Sequence, residues 1–345
     1  MVTFPTDAKR ATIQDVADRA GVSRAAVSKV IRNAYGISRD MRARVERAMT
    51  ELDYRPQMAA RALRGRTYML GVLLPDIHNP FFPDILDGVT HALRGTQYQP
   101  FLGVRPSVEA TERGLIETMF DSKIDGFILI SPVLGHDYLQ RLAAISPTVL
   151  IGRHDRNGGF DTVNNDDQRG AQLAVEHLIE QGHQQIAFLD LEPLADAPFN
   201  PARFRRRGYE RAMRAHGLQR FIQSQESSGN TDSDRDRLSA RRLLTAKERP
   251  TAVFAWTDAA ALALMSAAHE LGMRIPQDVA VVGYDNSRLC GLAQISLTSI
   301  DQDAHKLGAQ AAAMLVERIE GRRKDQHFVT PPKLVVRNSS AVGRD

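Results

Sequence analysis

Residues 11–63 run ATIQDVADRAGVSRAAVSKVIRNAYGISRDMRARVERAMTELDYRPQMAARAL, and few folds suit such a stretch. Apolar residues recur in it at helical spacing, in three short groups divided by turn signals. Thr12 followed by Asp15 has the spacing of a capping box, which predicts a helix with Ile13, Val16 and Ala17 inward. Gly21 interrupts the pattern, because glycine reaches the left-handed conformation of a tight inter-helix turn without steric cost. Ser23 predicts the cap of a second helix with Val27, Val30 and Ile31 inward, and Ser38 the cap of a third with Val45, Met49 and Leu52 inward. Two short helices across a tight turn, with a third behind them, make a helix-turn-helix whose second helix enters the DNA major groove. Its leading residues are Ser23, Arg24, Ala25, Ala26 and Ser28. Arginine can bond guanine O6 and N7 together, so Arg24 is the candidate reader, while Ala25 and Ala26 allow close approach and can touch a thymine methyl.

The charge distribution agrees. Residues 1–66 hold 14 Lys+Arg against 7 Asp+Glu, leaving 31 against 34 in the remainder of a chain of net charge +4. The positive excess sits on the segment that would meet phosphate, where counterion release drives binding. A small helical domain that binds protein is the alternative, and it does not account for this asymmetry. Cys290 is the only cysteine, so no disulfide forms within the chain; that suits a reducing cytoplasm, with the thiol expected as a small buried apolar group. The opening MVTFPTDAKR has no long apolar run, which argues against a signal peptide, and residues 1–10 are expected to form a flexible arm. No run of about 18 apolar residues marks a membrane span.

TIQDVADRAGVSRAAVSKVIR (12–32), then RVERAMTELDYRP (44–56) and ARALR (60–64), resembles the headpiece of the lactose/galactose-repressor family of bacterial transcription regulators. The resemblance continues through DIHNPFFPDILDGV (76–89), LIEQGHQQIAFL (178–189), RRRGYERAM (205–213), IPQDVAVVGYDN (275–286) and LTSIDQ (297–302). It implies a headpiece over 11–56, a hinge helix and linker over 57–67, and an effector-binding, dimerising core over 68–345. QMAARALR (57–64) is too short to be a stable helix alone, so it would order only when held; a plain flexible linker is the alternative. In the family two hinge copies pair in the minor groove and a leucine, here Leu63, wedges into the central base step. The DNA-facing set on this resemblance is Thr12, Ser23, Arg24, Ala25, Ala26, Ser28, Lys29, Arg32, Tyr54, Gln57, Ala60, Arg61 and Leu63. Arg32 and Gln57 stand where the family commonly has asparagine, which bears on the operator sequence.

Beyond residue 68 the rhythm becomes strand then helix. Apolar strand candidates are 69–74, 100–104, 126–130, 148–151, 186–189, 252–256, 279–283 and 297–300, and helical stretches are 82–93, 109–120, 170–180, 204–216, 259–271 and 302–320. That alternation predicts parallel sheets wrapped by helices. The fold class expected is therefore an all-α helix-turn-helix headpiece plus an α/β core. By resemblance the core is a periplasmic-binding-protein-like clamshell of two doubly wound lobes. Lobe 1 is expected over about 68–162 plus 298–328 and lobe 2 over about 163–296 plus 330–345, with crossings near 162–165, 296–300 and 328–332.

No catalytic signature appears: there is no HExxH, GxSxG, Walker loop or GxGxxG, and the ten histidines lack metal spacing. Asp166-Asp167 and Asp301/Asp303 fit helix N-termini better than an acid–base pair. The chain is expected not to be an enzyme and to need no cofactor. A cleft between α/β lobes binds ligands just past the strand ends. Asp76, Ser131 and Arg153 follow first-lobe strands; Arg205, Trp256, Asp258 and Asp285 lie at corresponding second-lobe ends. By motif match, Phe82, Ser131, Arg205, Asp258 and Asp285 fall on the family's effector-contacting positions. Alternatives stay open: Asp285 as a turn cap, Arg205 as part of a solvated basic face, Phe81 rather than Phe82 pointing inward. Trp256 is the only tryptophan and could stack on a sugar ring. Departures at Gly152-Arg153, Gly229-Asn230-Thr231 and Trp256-Thr257-Asp258 bear on the effector's identity, for which a sugar leads and a purine or other small polar metabolite is the alternative. The expected protein is a cytoplasmic bacterial repressor. It would bind double-stranded operator DNA as a homodimer, with a tetramer the alternative, and it would have no membrane partner. A solute-binding protein would need a secretion signal and no headpiece; a carbohydrate-processing enzyme would turn its sugar over.

Overall fold

The computed structural model describes residues 11–31, 35–54, 66–105, 109–191, 199–227 and 233–341. The chain divides between Thr67 and Tyr68 into two compact units. The first holds α1 (Ile13–Ala20), α2 (Arg24–Ile31) and α3 (Arg39–Glu51). Thr12 and Asp15 form the reciprocal capping box, and Gly21 ends α1 at φ 63°. The Ser23 hydroxyl accepts the Ala26 N–H at 3.2 Å, and the Ser38 hydroxyl accepts that of Met41 at 3.2 Å. Val16, Ala17, Ala20, Val27, Val30, Val45 and Ala48 make the small core, with Ile13, Ile31, Met49 and Leu52 packed at its edge. Arg44 of α3 donates to the carbonyls of Ala20 and Gly21, which ties the third helix to the turn between the first two.

The second unit holds two six-stranded sheets. The first contains β1 (Met69–Leu74), β2 (Gln99–Val104), β3 (Gly126–Ile130), β4 (Thr148–Ile151), β5 (Asp161–Asn165) and, at its far edge, β11 (His327–Thr330). Helices α4 (Phe81–Ala92), α5 (Glu109–Asp121) and α6 (His136–Ile145) connect its strands. The second contains β6 (Ile186–Leu191), β7 (Gln223–Ser227), β8 (Ala252–Ala255), β9 (Ala280–Asp285), β10 (Thr298–Asp301) and β12 (Lys333–Val335). Its helices are α7 (Asp167–Glu180), α8 (Pro201–Ala215), α9 (Ser233–Leu244) and α10 (Asp258–Glu270). All pairings are parallel except β10 with β12. Every residue of β3, β4 and β8 is buried, as expected for strands covered by helices on both faces.

The structure corrects the expected lobe limits in two places. Residues 161–165 are not a crossing but β5, whose polar DTVNN is fully buried and paired with β4 and β11. Residues 298–301 belong to the second sheet, where Ser299 pairs with Gly283, so the chain returns to the first lobe only after Asp301. It then forms α11 (Ala304–Ile319), which packs on α4. That packing is close: a Cβ on Gly88 would stand 2.0 Å from the His305 carbonyl oxygen, and one on Gly308 1.9 Å from that of Ile85. The three chain passages are cross-linked by polar side chains. Asn165 donates to the Thr330 carbonyl at 3.2 Å, Tyr284 donates to Asn165 at 2.7 Å, and Thr330 donates to the Gln302 carbonyl at 3.2 Å. Among the described residues no helix is long and apolar enough to cross a membrane.

Candidate nucleic-acid interface and ligand cleft

Ser23 before α2 and Arg24, Ala25 and Lys29 on it are exposed, and Ala26 is half-buried. These side chains are free of the headpiece core, and Arg24 and Lys29 give the face its positive charge. Ser28 departs from the expectation. It is 9% exposed, so it has little surface to offer a duplex. Thr12 is exposed but its hydroxyl is engaged in the capping box with Asp15. Tyr54 is half-buried against the headpiece core, and its N–H donates to the Met49 carbonyl. Arg32, Gln57, Ala60, Arg61 and Leu63, and with them the hinge, lie outside the described residues, as does Gly229-Asn230-Thr231.

In the core, the segments that follow the strands carry buried charge. Arg205, at the start of α8, donates to Asp167 at 2.8 Å and to the Trp256 carbonyl, and lies 3.7 Å over the Tyr284 ring. The other Asp167 oxygen meets His154 at 2.7 Å, and the His154 ring rests 4.1 Å from that of Phe204. Burial would raise the Asp167 carboxyl, but Arg205 and His154 bring it below the ordinary carboxylate range. His154 follows β4 of the first sheet, whereas Phe204 packs in the second lobe, so this contact joins the lobes. Arg288, after β9, also spans them to reach Asp84 and Asp87 on α4.

Around Ser131 three buried charged groups grip one loop. Arg105 donates to the Ser131 carbonyl at 2.6 Å, Glu112 accepts the Val133 N–H at 2.9 Å, and Arg153 donates to the Leu134 carbonyl at 3.0 Å. Ser131 itself is half-buried at φ 46°. Arg105 and Glu112 lie 3.4 Å apart, 4% and 0% exposed. Burial lowers the Arg105 and Arg153 guanidinium values and raises Glu112. Arg153 has a buried Nε without a hydrogen-bond partner.

Asp285 ends β9 at φ 120°, a conformation that L-residues rarely hold. Its Oδ1 accepts from Gln302 at 2.6 Å, while its buried Oδ2 has no partner in hydrogen-bond geometry. Burial first, and then the Asp258 charge, push its carboxyl well above the usual range; Arg205, Asn79 and Gln302 oppose this. Asp258, expected as a ligand contact, has both carboxylate oxygens engaged by the protein. Its carboxylate accepts from Ser299 at 2.5 Å, from the Ser287 N–H at 2.7 Å and from Cys290 at 3.0 Å, so it anchors the turn after β9. Asp76 likewise caps its own loop, accepting the N–H groups of His78 and Asn79. Of the two phenylalanines, Phe81 is buried in the core and Phe82 is half-buried beside it. Trp256 is half-buried and donates to Ser227 at 3.1 Å.

Sequence reasoning passed over Arg105, Glu112, His154 and Gln302, and gave Asp167 only its place at a helix N-terminus, which it holds, without its partners Arg205 and His154. Only their place one to three residues past a strand, or on the helix that follows, could have singled them out. Among the described residues no cluster of His, Cys, Asp and Glu could hold a metal ion.

Comparison with known proteins follows the same division. Residues 12–57 match the family described as bacterial regulatory proteins, lacI family, and residues 175–340 match the periplasmic binding protein-like domain. The chain is 32% identical over 335 residues to the HTH-type transcriptional repressor PurR of Vibrio vulnificus, covering 95% of this chain and 98% of that one. It is 32% identical to the ribose operon repressor of Escherichia coli, covering 96% and 100%. Among solved structures, the lac repressor dimer bound to operator and the anti-inducer ONPF superposes with a TM-score of 0.81 at 26% identity, covering 97% of this chain and 100% of that one.

Proposed function

We propose a function from one premise: the chain belongs to the lacI family of bacterial regulatory proteins. It is a DNA-binding transcriptional regulator of a family that is not enzymatic, and DNA binding under small-molecule control is general to that family. The finer reading is a cytoplasmic repressor with a headpiece over 11–56, a hinge over 57–67 and a core over 68–345. A homodimer binds a pseudo-palindromic operator through two α2 helices in successive major grooves. Arg24 reads a guanine, and paired hinges place Leu63 in the minor groove between them. A sugar-like effector lies between the lobes against Phe82, Ser131, Arg153, Arg205, Trp256 and Asp285. By preferring one lobe arrangement it changes the separation of the two hinges.

The observation that carries the ligand reading comes from the four buried polar atoms without a hydrogen-bond partner among the described residues: Arg105 Nε and Glu112 Oε1 face each other as an ion pair, whereas Arg153 Nε and Asp285 Oδ2 lie past strand ends of different sheets. Buried polar groups are almost always bonded, and such exceptions call for a partner. Dimerisation is supported by the edge strand β2, where Phe101, Leu102 and Val104 are 44%, 50% and 45% exposed. An apolar unpaired edge invites a second chain. Selection of duplexes from a random library tests the DNA reading. Enrichment of a two-fold symmetric site supports it, and no enrichment refutes it. On that site Leu63→Ala should weaken specific binding and reduce bending while nonspecific binding holds; equal affinity and equal bend exclude the wedge.

A further inference from the structure

Helix α8 (PARFRRRGYERAMRA) carries six arginines and a single acid, Glu210. Arg205 is buried against Asp167, and Arg206 pairs with Asp190. The other four, Arg203, Arg207, Arg211 and Arg214, are exposed. They are spaced four, four and three residues apart, which sets them within about 80° of one another on one flank of the helix, over about 16 Å. Arg214 meets Glu210 at 3.0 Å, and Arg207 lies 5.5 Å over the Phe204 ring. Among the described residues Arg203, Arg207 and Arg211 make no ion pair. The opposite side of α8 is fixed to the lobe. A Cβ on Gly208 would stand 2.3 Å from the Gln168 carbonyl oxygen of α7, and the Tyr209 hydroxyl donates to the Ile186 carbonyl at 2.8 Å.

Like charges four residues apart destabilise a helix, and a cation in its first turn opposes the helix dipole. Arg203 with Arg207 and Arg207 with Arg211 are two such pairs, and the first turn of α8 holds no acid. Elsewhere the core relieves the same arrangement. Arg237 and Arg241 on α9 share Glu270 of α10, and Arg318 and Arg322 share Asp161. On α8 no described residue supplies the shared acid. A local conflict without a compensating contact in the fold points to a functional surface. We propose that the exposed flank of α8 docks an acidic helix of a partner protein, which presents carboxylates at matching spacing. Guanidinium forks bond carboxylates in pairs, and glutamates four apart on a helix repeat at the same ~6 Å as these arginines. A narrow partner suits the flank better than a nucleic acid does. Glu210 lies at its margin and Glu176 on the adjoining α7, each about one-third exposed. Residues 67–345 hold 31 Lys+Arg against 34 Asp+Glu, so a broad polyanion would meet repulsion beside the stripe.

Fluorescence anisotropy with the full-length protein tests this. The probe is a labelled, hydrocarbon-stapled helical peptide with four glutamates at the four, four, three spacing. Its control has the same composition with the glutamates spread around the helix. The variant combines Arg203→Gln, Arg207→Gln and Arg211→Gln, since glutamine keeps the helix propensity of arginine. The matched peptide should bind the wild type at least ~tenfold more tightly than the control does, and more weakly as salt rises. The variant should lower that affinity at least ~tenfold, melt no lower than the wild type, and bind a selected operator duplex unchanged. No binding of the matched peptide, no preference over the control, or equal binding to the variant overturns the inference. A lower melting temperature in the variant would make the arginines supports of the fold, and a loss of affinity for operator or nonspecific duplex would assign them to nucleic acid. Either result also overturns it.

Discussion

The headpiece and the core treat charge in opposite ways. Among the described headpiece residues 11–54, Ser28 is the only buried polar side chain, and the Arg19–Glu51 pair is 60% and 40% exposed. In the core, Arg105, Glu112, Arg153, Asp167, Arg205 and Asp285 are all buried, and most of them meet at strand ends. Exposed cations are available to phosphate and screened by salt; buried pairs are neither. The first arrangement suits a surface that grips and releases a polyanion. The second suits a site that must hold fixed geometry for a small molecule. A buried ion pair adds little net stability over an apolar pair, yet breaking it is costly. Such pairs are thus better understood as positioning devices than as struts.

This contrast can be broken by mutation. Asp167→Ala strands the Arg205 guanidinium, whose side chain is 5% exposed, and removes the His154 partner. It should destabilise the core by ~3–5 kcal/mol in urea unfolding. Removing the headpiece acid in Glu51→Ala should cost less than ~1 kcal/mol. Equal losses would erase the distinction.

Titration sharpens it. Burial raises the Asp190 carboxyl to about 6, Arg206 opposing. The unfolded chain loses that proton near pH 4 and the folded chain near pH 6, so between them the folded state binds more protons. Stability from this group is present below pH 4 and falls as pH rises to 6, by on the order of 2–3 kcal/mol. Asp190→Asn should flatten that part of the stability–pH curve, and an unchanged slope would place the proton elsewhere. A further effect falls on recognition rather than on stability. Arg24→Ala should relax preference at one base pair per half-site by ~1–3 kcal/mol with core stability unchanged. An unaltered sequence preference would remove Arg24 from its role.

The same difference governs what could be foreseen from the chain. The headpiece helix caps are local: Thr12 with Asp15, Ser23 with Ala26 and Ser38 with Met41 are each three residues apart, so spacing reveals them, whereas Arg19 with Glu51 and Arg44 with Ala20 are not within reach of such spacing. Cleft partners are distant. Asp167 meets Arg205 38 residues on, and Asp258 meets Ser299 41 residues on, so no window of sequence contains both. Apolar strands such as β3 and β8 announce themselves. Polar β5 (DTVNN) and the edge strand β7 (QSQES) do not, because β5 is buried through side-chain bonding and β7 lies at a sheet edge. Helix α9 (SDRDRLSARRLL) was hidden by its charge. Asp258 stands at the strand end to which the sequence points, but its protein donors depend on where the turn 287–290 folds back, which no local spacing reveals.

Fluorescence anisotropy of a selected operator duplex, titrated with the full-length protein in the presence of each uncharged sugar and nucleobase, measures the coupling between cleft and headpiece. One of these compounds should shift the dissociation constant at least tenfold, about 1.4 kcal/mol of coupling. That shift should shrink when Arg153 and Asp285 are replaced together. An operator affinity that stays constant across every compound would contradict a headpiece governed from the cleft.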